Sequence, residues 1–308
     1  MAVKKQNLYN FPSPQDNENL VGHADTLRAF NDAWARRESY PLHPVWLLTG
    51  TKGIGKATLA YKIARQIYGN IGDFFIIDIA HNIDKEGNPK PDGKVISVYT
   101  IRAVLEKLQL TGMSGGWRVV LIDSVDELNT AASNALLKLL EEPPANTLFL
   151  LVAHSLASVM PTIRSRARVE KMLPLSIEEL RELCVSFLPD QEISTSTLRL
   201  ANGSFGKIAN LKSTGGDEIY AELLELLENF TSAPNGDGPK SNSADAMRIA
   251  KKIAPSPELH GILLDAISHF NLADLYPTAT HELAAIREVY LEPEIGIFKI
   301  IMEIKKNL

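Results

Sequence analysis

Gly50-Thr-Lys-Gly-Ile-Gly-Lys-Ala57 follows an apolar run and opens a helix-period segment. Gly50, Gly53 and Gly55 let the backbone wrap closely around phosphate oxygens, free N–H groups at a helix start donate to them, and Lys56 adds a point charge. A hydrolytic phosphate loop also asks for Ser or Thr directly after the lysine, to ligate Mg²⁺. Here Ala57 stands in that place, with Thr58 one residue later. A helix turns about 100° per residue, so Thr58 is not expected to replace the missing hydroxyl. The second chemical stretch is Arg118-Val-Val-Leu-Ile-Asp-Ser-Val-Asp-Glu-Leu-Asn129. Asp123, at the end of an apolar run, is placed to hold Mg²⁺ through water. Hydrolysis would need a carboxylate beside it to activate the attacking water, and Ser124 has no group basic enough. Asp126 and Glu127 are expected as solvated charges at a helix start. Arg164, Arg166 and Arg168 alternate, so on an extended segment all three would share a face.

Those residues require a scaffold of strands and helices. Continuous apolar runs at 45–48, 74–79, 119–122 and 148–152 read as strands buried on both faces, alternating with helical periodicity at 56–68, 98–110 and 131–142. Pro143-Pro144 ends the last of these helices. The pattern predicts an α/β fold with a parallel sheet. The polar, turn-rich stretch 81–94 reads as an exposed loop. Beyond residue 170 the β pattern stops. Helices are expected at 177–188, 195–202, 207–212 and 217–230, a Gly/Pro/Ser/Asn-rich linker at 232–243, and helical structure again over 244–308, with amphipathic runs at 259–270 and 281–290.

With 45% hydrophobic content over 308 residues the chain can bury the cores of two or three domains. A net charge of −5 disfavours a stand-alone nucleic-acid binder whose whole surface is tuned to phosphates. The one cysteine, Cys184, lies at helical spacing among apolar residues and reads as a core thiol; it excludes a cysteine-rich zinc module. Met1-Ala-Val-Lys-Lys-Gln6 has no apolar signal core, and no run reaches the roughly 18 apolar residues needed to span a bilayer. The expected compartment is the cytoplasm.

Several motifs together resemble the AAA+ clamp-loader family, in particular the delta-prime subunits of bacterial DNA polymerase III. They are Leu20-Val-Gly-His-Ala-Asp25, the phosphate loop, the Walker B-like strand ending at Asp123, Asn134-Ala-Leu-Leu-Lys-Leu-Leu-Glu-Glu-Pro-Pro144, and Thr162-Ile-Arg-Ser-Arg166. The likeness is firm over about residues 15–215. It implies an AAA+ P-loop domain (1–172), a helical lid (173–216) and a C-terminal helical oligomerisation collar (217–308). It implies that the Val-Gly-His box packs near the adenine of a bound nucleotide. It also implies that Ser165-Arg166, with Ala167 where the family has Cys, supplies an arginine finger in trans to a neighbouring ATPase subunit. Such a guanidinium contributes roughly 10³ to 10⁵ in rate in phosphoryl transfer.

The family's sensor arginine, in a Gly-Ser-Leu-Arg box, falls on Gly206 of Gly203-Ser-Phe-Gly-Lys207; Lys207 is expected to be solvated. Ala57, Ser124 and Gly206 thus each lack a group that hydrolysis uses. The four-cysteine zinc module common in delta-prime subunits has no counterpart after 68–72. The resemblance implies a non-hydrolysing subunit whose partners are gamma/tau-type ATPase subunits, a delta subunit, the sliding clamp and primed DNA. Its loop of Gly50, Gly53, Gly55, Lys56 and Thr58, with Asp123, would hold ATP or ADP without hydrolysis or hold no nucleotide. The alternative is a catalytically active AAA+ ATPase, a clamp-loader motor subunit or a branch-migration helicase motor.

Overall fold

The computed structural model describes residues 13–68, 73–91, 95–110, 116–231, 242–288 and 292–308. The 1–6 segment, the 69–72 link, residues 92–94 of the polar loop, 232–241 of the linker and 289–290 of the last amphipathic run lie outside the described residues. The chain forms two compact units. One comprises Phe11–Phe187 with Gly203–Phe205, and the other Leu188–Asn202 with Gly206–Leu308.

In the first unit α1 (Ala24–Ala35) precedes β1 (Val45–Thr49), α2 (Lys56–Tyr68), β2 (Asp73–Ile77), α3 (Val98–Leu110), β3 (Arg118–Ile122), α4 (Thr130–Glu141), β4 (Thr147–Ala153), α5 (Pro161–Arg164), β5 (Arg168–Lys171) and α6 (Ile177–Phe187). The five strands form one parallel sheet in the order β2-β3-β4-β1-β5. Every residue of β1, β3 and β4 is buried, because helices cover both faces. Leu47, Val120, Ile122, Phe149 and Leu151 pack with Ile101, Leu108 and Leu136 of α3 and α4. Their alternating neighbours Trp46, Leu48, Val119, Leu121 and Leu150 pack with Phe30 of α1 and Leu59 and Ile63 of α2. The two-residue period of the strands thus feeds two cores.

The four expected strands form within a residue or two of their predicted bounds. The fifth was not predicted, because Arg168-Val-Glu-Lys171 has a single apolar side chain. It forms by pairing Trp46–Thr49 of β1 with Arg168–Lys171. The polar loop is exposed over 85–91, but Asn82 is buried and tied down, donating to Val95 O and accepting from Ser97 N and Thr100 Oγ1. At the head of β3, buried Arg118 donates to Leu108 O at 2.7 Å and Ala145 O at 2.8 Å, fastening the end of α3 and the turn before β4. Asn129 caps α4 by accepting from Ala132 N, and the prolines after it set where Glu141 stands.

The second unit is helical: α7 (Thr195–Ala201), α8 (Phe205–Thr214), α9 (Gly216–Thr231), α10 (Asn242–Ile253), α11 (Gly261–His269), α12 (Tyr276–Glu288) and α13 (Pro293–Asn307). Leu200 and Leu211 of α7 and α8 share one core with Leu223, Leu227, Ile249, Leu263, Ile297 and Ile301 of the later helices. Lys207, expected to be solvated, instead pairs with Asp265 at 2.7 Å. Its four-carbon stem lets the ammonium reach across from α8 to α11. No described helix is long and apolar enough to cross a membrane.

Candidate functional site

The phosphate loop lies between the end of β1 and the start of α2, where a parallel sheet opens at its strand C-termini. Lys56 is buried, and its ammonium donates to Gly50 O and Thr51 O, both at 2.7 Å. Burial pushes its pKa from 10.5 down to about 8, although Asp123 and Asp126 pull the other way. The lysine is thus bonded to its own loop, and a phosphate would have to compete with those carbonyls. Ala57 is half-buried and offers no hydroxyl, while Thr58 is buried along with Leu59 and Ala60.

Asp123 follows β3 directly, its N–H donating to Ile77 O at 2.9 Å. Burial raises its pKa, helped by Asp78 and opposed by Lys56 and Lys52. Ser124 sits in the left-handed region at φ 66 and ψ 58 and starts the short 3-10 turn Val125–Glu127. Its hydroxyl shares a 3.2 Å hydrogen bond with Nε2 of His154, the residue just after β4.

Asp126 is not the solvated charge expected. One of its carboxylate oxygens accepts from the N–H groups of His154 at 3.0 Å and Ser155 at 3.1 Å, tying the end of β3 to the end of β4. Glu127 is likewise partly buried, which raises its pKa. Asp126 Oδ1 and His154 Nδ1 are buried with no protein partner. Burial lowers the His154 pKa, and Lys56 lowers it further. This ring is therefore neutral at pH 7. The sequence reading missed His154 and the role of Asp126; the available signal was a polar residue at the C-terminal end of an apolar strand.

The three arginines do not share a face. Arg164 closes α5, Arg166 lies in the following turn and Arg168 opens β5. A helical turn instead of an extended segment sends them apart. Arg168 lies over the Trp46 ring at 4.2 Å and pairs with Glu170 at 2.7 Å. Ser165 is exposed, its hydroxyl donating to Thr162 O at 3.0 Å. Arg166 is half-buried; Nη1 donates to Thr162 O at 3.0 Å and Nη2 to Glu141 Oε1 at 2.8 Å.

A family model described as DNA polymerase III, delta subunit, matches residues 25–176, the stretch that carries the phosphate loop, the Asp123–Ser124 corner and Arg166. Over those residues the chain is similar to the clamp-loader family of DNA polymerase III subunits. The gamma subunit of Buchnera aphidicola from Schizaphis graminum is 29% identical over 225 residues, 64% of this chain and 58% of that subunit. The delta' subunit of Pseudomonas aeruginosa is 28% identical over 287 residues, 83% of this chain and 81% of that subunit. The chain thus spans little more than half of the first relative. In fold, a DNA polymerase III gamma-subunit-related protein of Thermotoga maritima aligns with a TM-score of 0.51 at 16% identity, over 89% of this chain and 98% of that one. The parallel α/β sheet expected from the sequence, with helices following it, is the one observed.

Two further boxes meet the phosphate loop. His23 Nε2 donates to Ile54 O at 2.7 Å, so the Val-Gly-His box lies against the loop backbone. Ser204 Oγ donates to Lys52 O at 2.8 Å, bringing the Gly203-Ser204 box to the same loop. Gly206, in the first turn of α8, brings no side chain. Among the described residues no group of three or more His, Cys, Asp or Glu side chains is arranged to hold a metal ion.

Proposed function

We propose that this chain is a clamp-loader subunit of the delta-prime type that hydrolyses no ATP itself and supplies Arg166 in trans to a neighbouring gamma/tau-type ATPase subunit. In that role it would act beside a delta subunit, help hold the sliding clamp open for loading onto primed DNA during replication, and assemble through its C-terminal helices. The observation that carries the reading is the contrast between two sites on one unit. The loop end lacks a Mg²⁺-ligating hydroxyl at Ala57 and a water-activating carboxylate at Ser124, while Ser165-Arg166 stands intact on an exposed turn. Any ATP or ADP on the loop would meet Lys56 and Asp123 without the groups that drive turnover.

The test is steady-state ATPase of the purified chain alone and of its reconstituted complex. The chain alone should show no turnover, and Arg166→Ala should cut the ATPase of the complex by about 10³-fold or more. Turnover by the isolated chain that disappears in Lys56→Ala would overturn the proposal in favour of an active ATPase.

A further inference from the structure

The Arg166 guanidinium is already bonded within its own chain. Nη2 is held by Glu141 at 2.8 Å, and Nη1 by Thr162 O at 3.0 Å, with Ser165 Oγ at 3.4 Å. Glu141 is the last residue of α4, where the helix is stopped by the following Pro143-Pro144, and α5 brings Arg166 back beside it. Both terminal nitrogens, the atoms that a finger offers to phosphate oxygens, are thus engaged by this chain's own acceptors.

We propose that Glu141 is a positioning residue that holds Arg166 on its own subunit, so that engaging a neighbour's γ-phosphate exchanges one anion for another. This rests on the reading of Arg166 as a trans-acting finger. The guanidinium fork binds carboxylate and phosphate with the same geometry, so the two anions compete for the same N–H groups. They also repel each other, which makes engagement a choice between two states. Arg166 and Glu141 have side chains 35% and 52% exposed, so water weakens the hold to that of a surface pair. A hold of that strength is weak enough to release whenever ATP occupies the neighbouring site. When the competent state is only partly populated, apparent affinity falls by that fraction.

The experiment uses the reconstituted complex of the full chain with its ATPase subunits, with kcat and half-saturating ATP measured separately. Glu141→Gln keeps the side chain's size and removes its charge. It should lower half-saturating ATP by about twofold to fivefold, leave kcat at saturating ATP unchanged, and lose its advantage as salt is raised. In an Arg166→Ala background it should have no effect. A fall in kcat at saturating ATP, or unchanged half-saturation while Arg166→Ala is inactive, would overturn the exchange and leave the finger reading standing. An Arg166→Ala complex with full ATPase would remove the finger reading, and the exchange with it.

Discussion

Replacing Lys56 with methionine should make the first unit more stable at neutral pH, even though it removes the most recognisable residue of the phosphate loop. The ammonium is buried, and its pKa is pushed from 10.5 down to about 8. At about 1.4 kcal/mol per tenfold, keeping it charged in the folded state costs about 3 kcal/mol. Methionine gives up the bonds to Gly50 O and Thr51 O, about 1 kcal/mol each because Gly50 is half-buried and Thr51 exposed, so that water can take over those carbonyls, and it leaves Asp123 with one cation fewer. The balance favours the variant by about 1–2 kcal/mol at pH 7.

The folded pKa lies below the unfolded one, so the cost is present in full below about pH 8 and is relieved as pH climbs toward 10.5. Wild-type stability therefore rises through that window, while the methionine variant has nothing there to titrate. The gap should close by about 2 kcal/mol between pH 7 and 9.5. Tyr61 and Tyr220, raised to about 12 by burial, lower stability above pH 10 in both proteins and cancel in the difference. Urea unfolding followed by tryptophan fluorescence reads the correct unit, since Trp34, Trp46 and Trp117 all lie within it. A variant less stable at pH 7, or a gap that does not move with pH, would refute the reasoning.

Gly203→Ala and Gly87→Ala separate backbone strain from packing. Both positions have positive φ, but an added Cβ at Gly87 meets nothing within 4 Å, whereas at Gly203 it would lie 2.3 Å from Pro174 Cβ and 2.7 Å from Leu175 N. Urea midpoints should report a loss of about 1–2 kcal/mol at Gly87 and about 3 kcal/mol or more at Gly203; equal losses would contradict the Gly203 docking. Arg118→Met strands Leu108 O and Ala145 O in the interior and should cost about 2–4 kcal/mol in the same assay. A loss below about 1 kcal/mol would mean that water reaches those carbonyls.

The sheet was legible wherever a strand is buried on both faces, because burial demands an unbroken apolar run; β5, made at an edge by pairing with β1, carries no such mark. The phosphate loop was legible for a different reason: glycine and lysine chemistry there is local, settled within eight residues. His154 and Glu141 were not legible, since their partners Ser124 and Arg166 lie 30 and 25 residues away and meet them only through the order of strands and helices. Those distant pairings already occupy the polar groups around Lys56 and Ser124. Lys56 binds its own loop, Ser124 binds His154 and Ser204 binds Lys52, so the hydroxyls and ammonium of the site are already engaged in holding loop, strand ends and Gly203-Ser204 box together. On the proposed reading, gaining hydrolysis would therefore take more than Ala57→Ser and Ser124→Glu: each would have to enter a network whose donors are committed, and the glutamate would meet a neutral, half-buried His154 in place of open water.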